Sequence, residues 1–406
     1  MMRVRLALIA ATSLVAAAPA WAMPGEEFAV SPAGHVAVLT PTRDAAVLRV
    51  AGPDGRFGAP EPAPRWAQVA IGSRGDVAIV HSDGGPEPRL WVSYRPPGAA
   101  FEPPVLLDVD TTIAENWAAL GVDGAGTVIV GWTSGAPGDE MMVRLRDPVD
   151  GWFPAQSLGG RDTFRPRLAV TDDGFATLAW RQQRSLVNTS EVAVATRPSG
   201  GRAFGPPEVV GRNPDDPDEP VVATNERGDG VVAWIESRER RDAERSEFWI
   251  AGAFRSGRGS FGRPRRLSPG NGAGPAVAVR PDGRMVIAWT DYQNFSRARI
   301  RSTGGALRRA VTLTRNPDVN HAVTALPSGR GAVAWSHREP GFSMMRVAQA
   351  TPDGRFGRPR TVDLVRGFAA FLNPPAFAAL PSGLFYLRGR STTPSPPPRL
   401  ERVALR

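Results

Sequence analysis

The chain has no cysteine among its 406 residues. Disulfides and thiolate metal sites are therefore excluded, and stability must come from packing alone. Lysine is absent as well, so all 49 basic residues are arginines. Arginine never deprotonates, which accounts for a sequence pI near 11.1. Such a bias fits a GC-rich coding sequence better than selection for a ligand. Histidine is scarce: His35, His81, His321 and His337 lie far apart, with no HxH or HxxxH spacing. No zinc site is expected from them. There is no P-loop, no EF-hand loop, no G-x-S-x-G elbow, and no dinucleotide fingerprint that follows a strand and opens a helix. No cofactor is expected. Beyond the N-terminus no apolar run is long enough to cross a bilayer, and no long stretch has a helical period.

What the chain does have is a phrase repeated eight times. An apolar strand leads to a tight Gly turn and a second apolar strand. The clearest copy is Pro275 to Trp289, PAVAVRPDGRMVIAW. The turn glycines are Gly34, Gly75, Gly126, Gly174, Gly228, Gly283, Gly329 and Gly383, spaced 41, 51, 48, 54, 55, 46 and 54 residues apart. A period of about 40–50 residues built from strands predicts a β-propeller or similar radial array. Five residues before each glycine stand small residues: Ala29, Ala70, Gly121, Ala169, Ala223, Ala278, Thr324 and Ala378. One position earlier all are large and apolar, from Phe28 and Val69 to Phe377. This alternation predicts a strand buried on both faces.

Six residues after the glycine, five consecutive units carry Trp132, Trp180, Trp234, Trp289 and Trp335. Each ends an apolar run. The expected role is to fill the gap between neighbouring sheets, with the indole N–H on a nearby carbonyl. Trp91, Tyr94, Trp249, Tyr292 and Phe295 are better placed for a surface. A second motif follows each strand pair, as in Gly52 to Pro60 (GPDGRFGAP), Gly259 to Pro264 (GSFGRP) and Asp353 to Pro359 (DGRFGRP). Glycine supplies the turn and proline marks a strand start. Each unit thus reads as four antiparallel strands, a to d, in meander order. The expected fold is an all-β propeller of eight four-stranded blades, with seven as the alternative. The last unit lacks a clear outermost strand.

The turns Arg280-Pro281-Asp282-Gly283, Leu326-Pro327-Ser328-Gly329, Leu380-Pro381-Ser382-Gly383 and Ser31-Pro32-Ala33-Gly34 resemble those of secreted bacterial propellers. Those are the PD40 type of TolB-like proteins and the NHL type. The resemblance implies that strand a is innermost and that the role is binding or scaffolding. The WD dipeptide and the sialidase Asp-box are not present, so the resemblance carries no enzyme activity with it.

At the N-terminus, Arg3 and Arg5 precede the apolar run Leu6 to Ala18 and an A-x-A site at Ala20 to Ala22. Residues 1–22 are expected to be a secretion signal, leaving a single propeller domain at 23–406. The product would be extracellular or periplasmic, with no membrane span after cleavage. Removing two arginines changes the net charge from +9 to +7. The arginines read as scattered, so specific nucleic-acid binding is not expected. A weak affinity for anionic polymers of the envelope is.

Geometry says where a ligand would sit. Eight residues after each turn glycine, just past strand b, stand Thr42, Asp83, Ser134, Gln182, Glu236, Asp291, His337 and Ser391. Asp83, Gln182, Glu236, Asp291 and His337 are the candidate ligand-binding residues. Asn116, Asp218, Glu219, Asn320, His321 and Asn373 lie on the other loops converging there. No metal or catalytic set is assigned. The expected function is a non-catalytic binding module or interaction scaffold for a protein or envelope glycan. The alternative is a secreted carbohydrate-active hydrolase or lyase using carboxylates at the channel mouth.

Overall fold

The computed structural model describes residues 27–83, 88–109, 118–134, 139–183, 190–213, 218–238, 247–291, 295–315, 320–325, 331–339, 342–351, 355–366, 377–380, 383–388 and 399–403. The expected signal segment lies outside them. The described residues form eight antiparallel sheets, one per sequence unit, each a simple meander. Unit six is representative, with strands Gly272–Val279, Met285–Asp291, Ser296–Arg301 and Val311–Thr314. Unit three breaks its outer strand into Gly151–Trp152 and Gln156–Ser157. Unit eight shows three strands, Phe377–Leu380, Gly383–Arg388 and Arg399–Arg402, as its sequence implied.

The repeated glycine does what its spacing suggests. Six of the turn glycines, from Gly34 to Gly283, have φ between 80° and 97°. A side chain is strained in that region, so the turn selects glycine. At Gly283 the space is closed too: a Cβ there would lie 2.8 Å from Oδ2 of Asp229 in the preceding unit.

The core lies between sheets. Ile129 and Met141 of unit three pack with Leu178 and Trp180 of unit four. Ala233 and Ile250 of unit five meet Ile287 and Trp289 of unit six. The same face-to-face clustering joins units one and two, two and three, four and five, and six and seven. First strands touch one another in succession from unit one to unit eight. On the face of unit one turned away from unit two, Val36 and Val38 are also fully buried. Together this is the packing of an all-β propeller, with the first strand of each unit innermost.

The depth of burial departs from expectation in one respect. The most buried strand is the second of each unit, not the first. Val128 to Trp132 and Met285 to Trp289 are wholly inside. First strands are largely half-buried because one edge is open to the axis. The five tryptophans are core, each at most 1% exposed. Their indoles do not follow one rule. Trp132 donates to the Asp108 carboxylate at 2.8 Å and Trp180 to the Gln182 carboxamide at 2.9 Å. Trp289 and Trp335 have no acceptor. Tyr94 is a correction: it is only 3% exposed, and its hydroxyl donates to Asp76 at 2.6 Å. Trp91 and Trp249 are half-buried, and Tyr292 lies outside the described residues.

Arginines also enter the interior. Strand c ends in Arg95, Arg146, Arg197, Arg255 and Arg301 in units two to six, each opposite the second residue after the turn glycine. They reach back to the preceding unit. Arg95 bonds Glu61, and Arg146 bonds Glu102 and stacks on Tyr94. Arg197 pairs with Asp123. Arg255 bonds Thr177 and stacks on Phe175, and Arg301 lies over Phe254.

Candidate binding site at the inner strands

Seven residues before the turn glycine, the first strands present Glu27, Gln68, Ala119, Arg167, Val221, Ala276, Ala322 and Ala376. The polar members all fall in units one to four. There they line a cavity of about 340 Å³, with Glu27, Gln68, Ala119, Leu120, Pro166 and Arg167 on its wall. Glu27 opens the first strand of unit one and is itself exposed to the cavity. Protein nevertheless surrounds it closely. That desolvation pushes its carboxyl above the ordinary range, against the pull of the Arg167 charge. Arg167 follows a β-bulge between Phe164 and Arg167, and Nη1 donates to the Pro166 carbonyl at 3.2 Å. A bulge re-aims the side chains beside it.

The chain just before that bulge is strained. Among the described residues, the non-glycine positions with positive φ are Asp139 (43°), Asp162 (45°) and Arg165 (52°). All three lie where the second-to-third-strand loop of unit three meets the connection from unit three to unit four. Each such conformation costs on the order of 1–3 kcal/mol and persists only where the surroundings enforce it. Here they do. Thr163 donates its N–H at 2.9 Å and its hydroxyl at 2.6 Å to the Asp139 carbonyl. Thr133 donates to the Thr163 carbonyl at 3.0 Å. Burial first, and then the Asp162 charge, raise the pKa of Asp139.

The strand registers bring the sequence-predicted ring to the cavity end of the sheets. Trp66 pairs with Ser82, next to Asp83. Phe164 pairs with Arg181, next to Gln182. Gly272 pairs with Asp291. Gln182 joins the strained rim: a Cβ on Gly160 would lie 2.9 Å from its Oε1. It accepts from Trp180 and donates to Glu191 at 3.4 Å. The others are engaged within their own hairpins. Asp83 accepts the Arg89 N–H at 2.9 Å. Asp291 accepts the Phe295 N–H at 2.9 Å and pairs with Arg297 at 2.5 Å. Glu236 faces Trp249, its cross-strand partner. Burial pushes its carboxyl up, opposed by a hydrogen bond with Trp249 and by Arg238 and Arg266. The side chains of His337, Asp218, Glu219, Asn320 and His321 lie outside the described residues, as do Asn116 and Asn373.

Sequence reasoning missed Glu27, Gln68 and Arg167 although their signal was visible. The column is small or apolar in the later units, so three polar members in units one to four stand out. Asp139 and Asp162 carried no such signal, because their importance lies in backbone conformation.

No family model matches the chain, and no curated protein does. Solved structures do. The BP39L lectin from Burkholderia pseudomallei aligns with a TM-score of 0.51 at 12% identity, over 84% of this chain and 99% of the lectin. The polysaccharide lyase Uly1 aligns with a TM-score of 0.48 at 11% identity, over 93% and 89%. A PL25 ulvan lyase gives 0.46 at 10% identity, over 82% and 90%. The likeness is one of fold, and the class it defines is the propeller-type all-β protein.

Proposed function

We propose that this protein is an exported, non-catalytic binding module whose ligand is an envelope glycan, held in the cavity between the inner strands of units one to four. The observation that carries the reading is the composition of that cavity. One carboxyl, one guanidinium and one carboxamide project from Glu27, Arg167 and Gln68 into about 340 Å³. That volume lies at the small end of ligand pockets. Donors and acceptors are both on offer there, as sugar hydroxyls need. Glycosidases of the usual kind need two carboxyl groups about 5–10 Å apart. Glu27 is the single carboxyl on this cavity's wall. Asp83, Gln182, Glu236, Asp291 and His337 would form the rim that a longer ligand reaches. Export would follow from a signal at residues 1–22.

A glycan array probed with the chain from Met23 onward tests this. Retained sugars would then be titrated calorimetrically against Arg167→Ala and Gln68→Ala. Each variant should weaken binding by about tenfold or more, as loss of a pocket hydrogen bond does. An array without retained glycans, or an Arg167→Ala variant that binds as the parent does, overturns the reading. The strained pair Asp139 and Asp162 favours a second one, a carbohydrate-active hydrolase or lyase. A carboxyl raised by burial and a like charge is poised as an acid. That reading requires release of new sugar ends by the parent protein and its loss in Asp139→Asn.

A further inference from the structure

The net charge hides a concentration. Between Arg255 and Arg315 the chain carries thirteen arginines against two acids, Asp282 and Asp291, a local charge of +11. Set against the whole-chain +9, this leaves the other residues at −2. The arginines are therefore not scattered, as a first reading of the sequence suggests. The segment runs from the third strand of unit five to the last strand of unit six.

Several of these arginines are structural, such as Arg255, Arg280 and Arg301. Four are not. Arg263 and Arg265 approach and enter the outermost strand of unit five, and Arg308 and Arg309 lead into that of unit six. All four are exposed. None of their guanidinium groups has an ion-pair partner among the described residues. Arg299 draws the two segments together. Its Nη1 donates to the Leu267 carbonyl at 2.6 Å, and its Nε and Nη2 donate to the Arg308 carbonyl at 3.0 and 2.8 Å. Two arginine-bearing segments from neighbouring sheets are thus clamped side by side on one guanidinium. Glu247 neutralises the adjoining Arg266 and leaves the four untouched.

We infer that the outer edge of units five and six is a docking surface for an acidic polysaccharide, separate from the inner-strand cavity. Like charges held together at a surface raise its potential, and a polyanion relieves their repulsion while releasing its counterions. Arginine suits carboxylate and sulfate groups because its donors form a planar fork. A nucleic acid fits less well. Stacking platforms for single strands are wanting: Trp289 is fully buried, and Phe261 packs against Arg255. The arginines lie along sheet edges, where no helix or ribbon projects into a duplex groove.

The test uses the chain from Met23 onward and measures its retardation in gels containing polygalacturonate. The variant Arg263→Ser/Arg265→Ser/Arg308→Ser/Arg309→Ser is compared with Arg43→Ser/Arg56→Ser/Arg89→Ser/Arg161→Ser, which removes as many exposed arginines from units one to four. The first should weaken affinity by about tenfold or more and flatten its salt dependence, the second by less than about twofold. Thermal melts of both should match the parent, since no described contact is lost. Equal weakening by the two variants overturns the proposal. So does equal retardation by neutral dextran, or tighter binding to a short DNA duplex than to polygalacturonate.

Discussion

Removing one oxygen atom from Tyr94 should cost this fold measurable stability. The hydroxyl donates at 2.6 Å to Oδ1 of Asp76, whose residue is fully buried. Asp76 otherwise relies on Arg74, through Nε at 3.0 Å and Nη2 at 2.7 Å. Burial alone would raise the Asp76 pKa, but the hydrogen bonds from Arg74 and Tyr94 outweigh it and hold the carboxyl below its ordinary range. Burial first, and then this hydrogen bond, push the Tyr94 phenol up to about 12. Tyr94→Phe deletes the donor and keeps the ring, so the Arg146 guanidinium, 3.8 Å from the ring centroid, keeps its stack. A buried hydrogen bond to a charged group contributes about 1.5–3 kcal/mol. A chain of this length has an unfolding entropy near 0.8 kcal/mol per degree, so about 2 kcal/mol lowers Tm by roughly 2–3 °C. The pH dependence adds a second check. A depressed carboxyl stabilises above its unfolded pKa of 3.8 and loses that contribution as pH falls below it. A raised phenol stabilises below its unfolded pKa of 10.0 and loses that contribution as pH climbs toward about 12. The gap between parent and Tyr94→Phe should thus be full at neutral pH and narrow on acidification below 3.8. Differential scanning calorimetry across that range measures it. A variant melting within about half a degree of the parent at neutral pH refutes the assigned bond.

Trp132→Phe should destabilise more than Trp289→Phe in urea titrations, by roughly 1 kcal/mol, because only the first strands a buried acceptor, the Asp108 carboxylate. Gly283→Ala meets both a φ of 80° and Asp229 at 2.8 Å, whereas Gly257→Ala meets a φ of 62° in open space. The first should therefore cost about 2–3 kcal/mol and the second about 1, read from thermal midpoints. Glu27→Gln should leave glycan affinity flat with pH where the parent's changes as the raised carboxyl titrates above 4.5, a contrast calorimetry resolves.

The architecture was legible because one physical constraint repeats. A two-residue alternation around an obligatory left-handed turn recurs eight times, and the column of tryptophans marks where sheets diverge. The site was less legible because its residues answer to different constraints. Gln182 and Asp291 were found by position, and position also explains their local bonds: polar side chains that begin a loop hold that loop. Arg167 owes its place to a bulge, and Asp139 to a strained turn. Neither irregularity leaves a periodic trace. Tyr94 was misjudged for a related reason. Alternation along its strand gives a half-buried ring the look of a surface residue until the third-strand Arg146 of the next unit covers it.

The absence of lysine acquires a structural meaning here. A guanidinium can bond and stack at once, which an ammonium cannot do in the same place. Arg255 shows this most fully. It lies between the rings of Phe175 and Phe261, 4.9 and 4.6 Å from their centroids, while Nε bonds the Gly228 carbonyl and Nη2 bonds Thr177 and Thr224. Desolvation lowers its pKa to about 10, still leaving it charged at neutral pH. Its charge is thus spent inside the fold, tying unit five to unit four. Arg95, Arg146, Arg197 and Arg301 occupy the same column in their units. A net charge counted over the sequence therefore overstates what the surface offers a partner. The cations left over gather where no acid and no aromatic ring of the protein claims them, on the outer edge of units five and six.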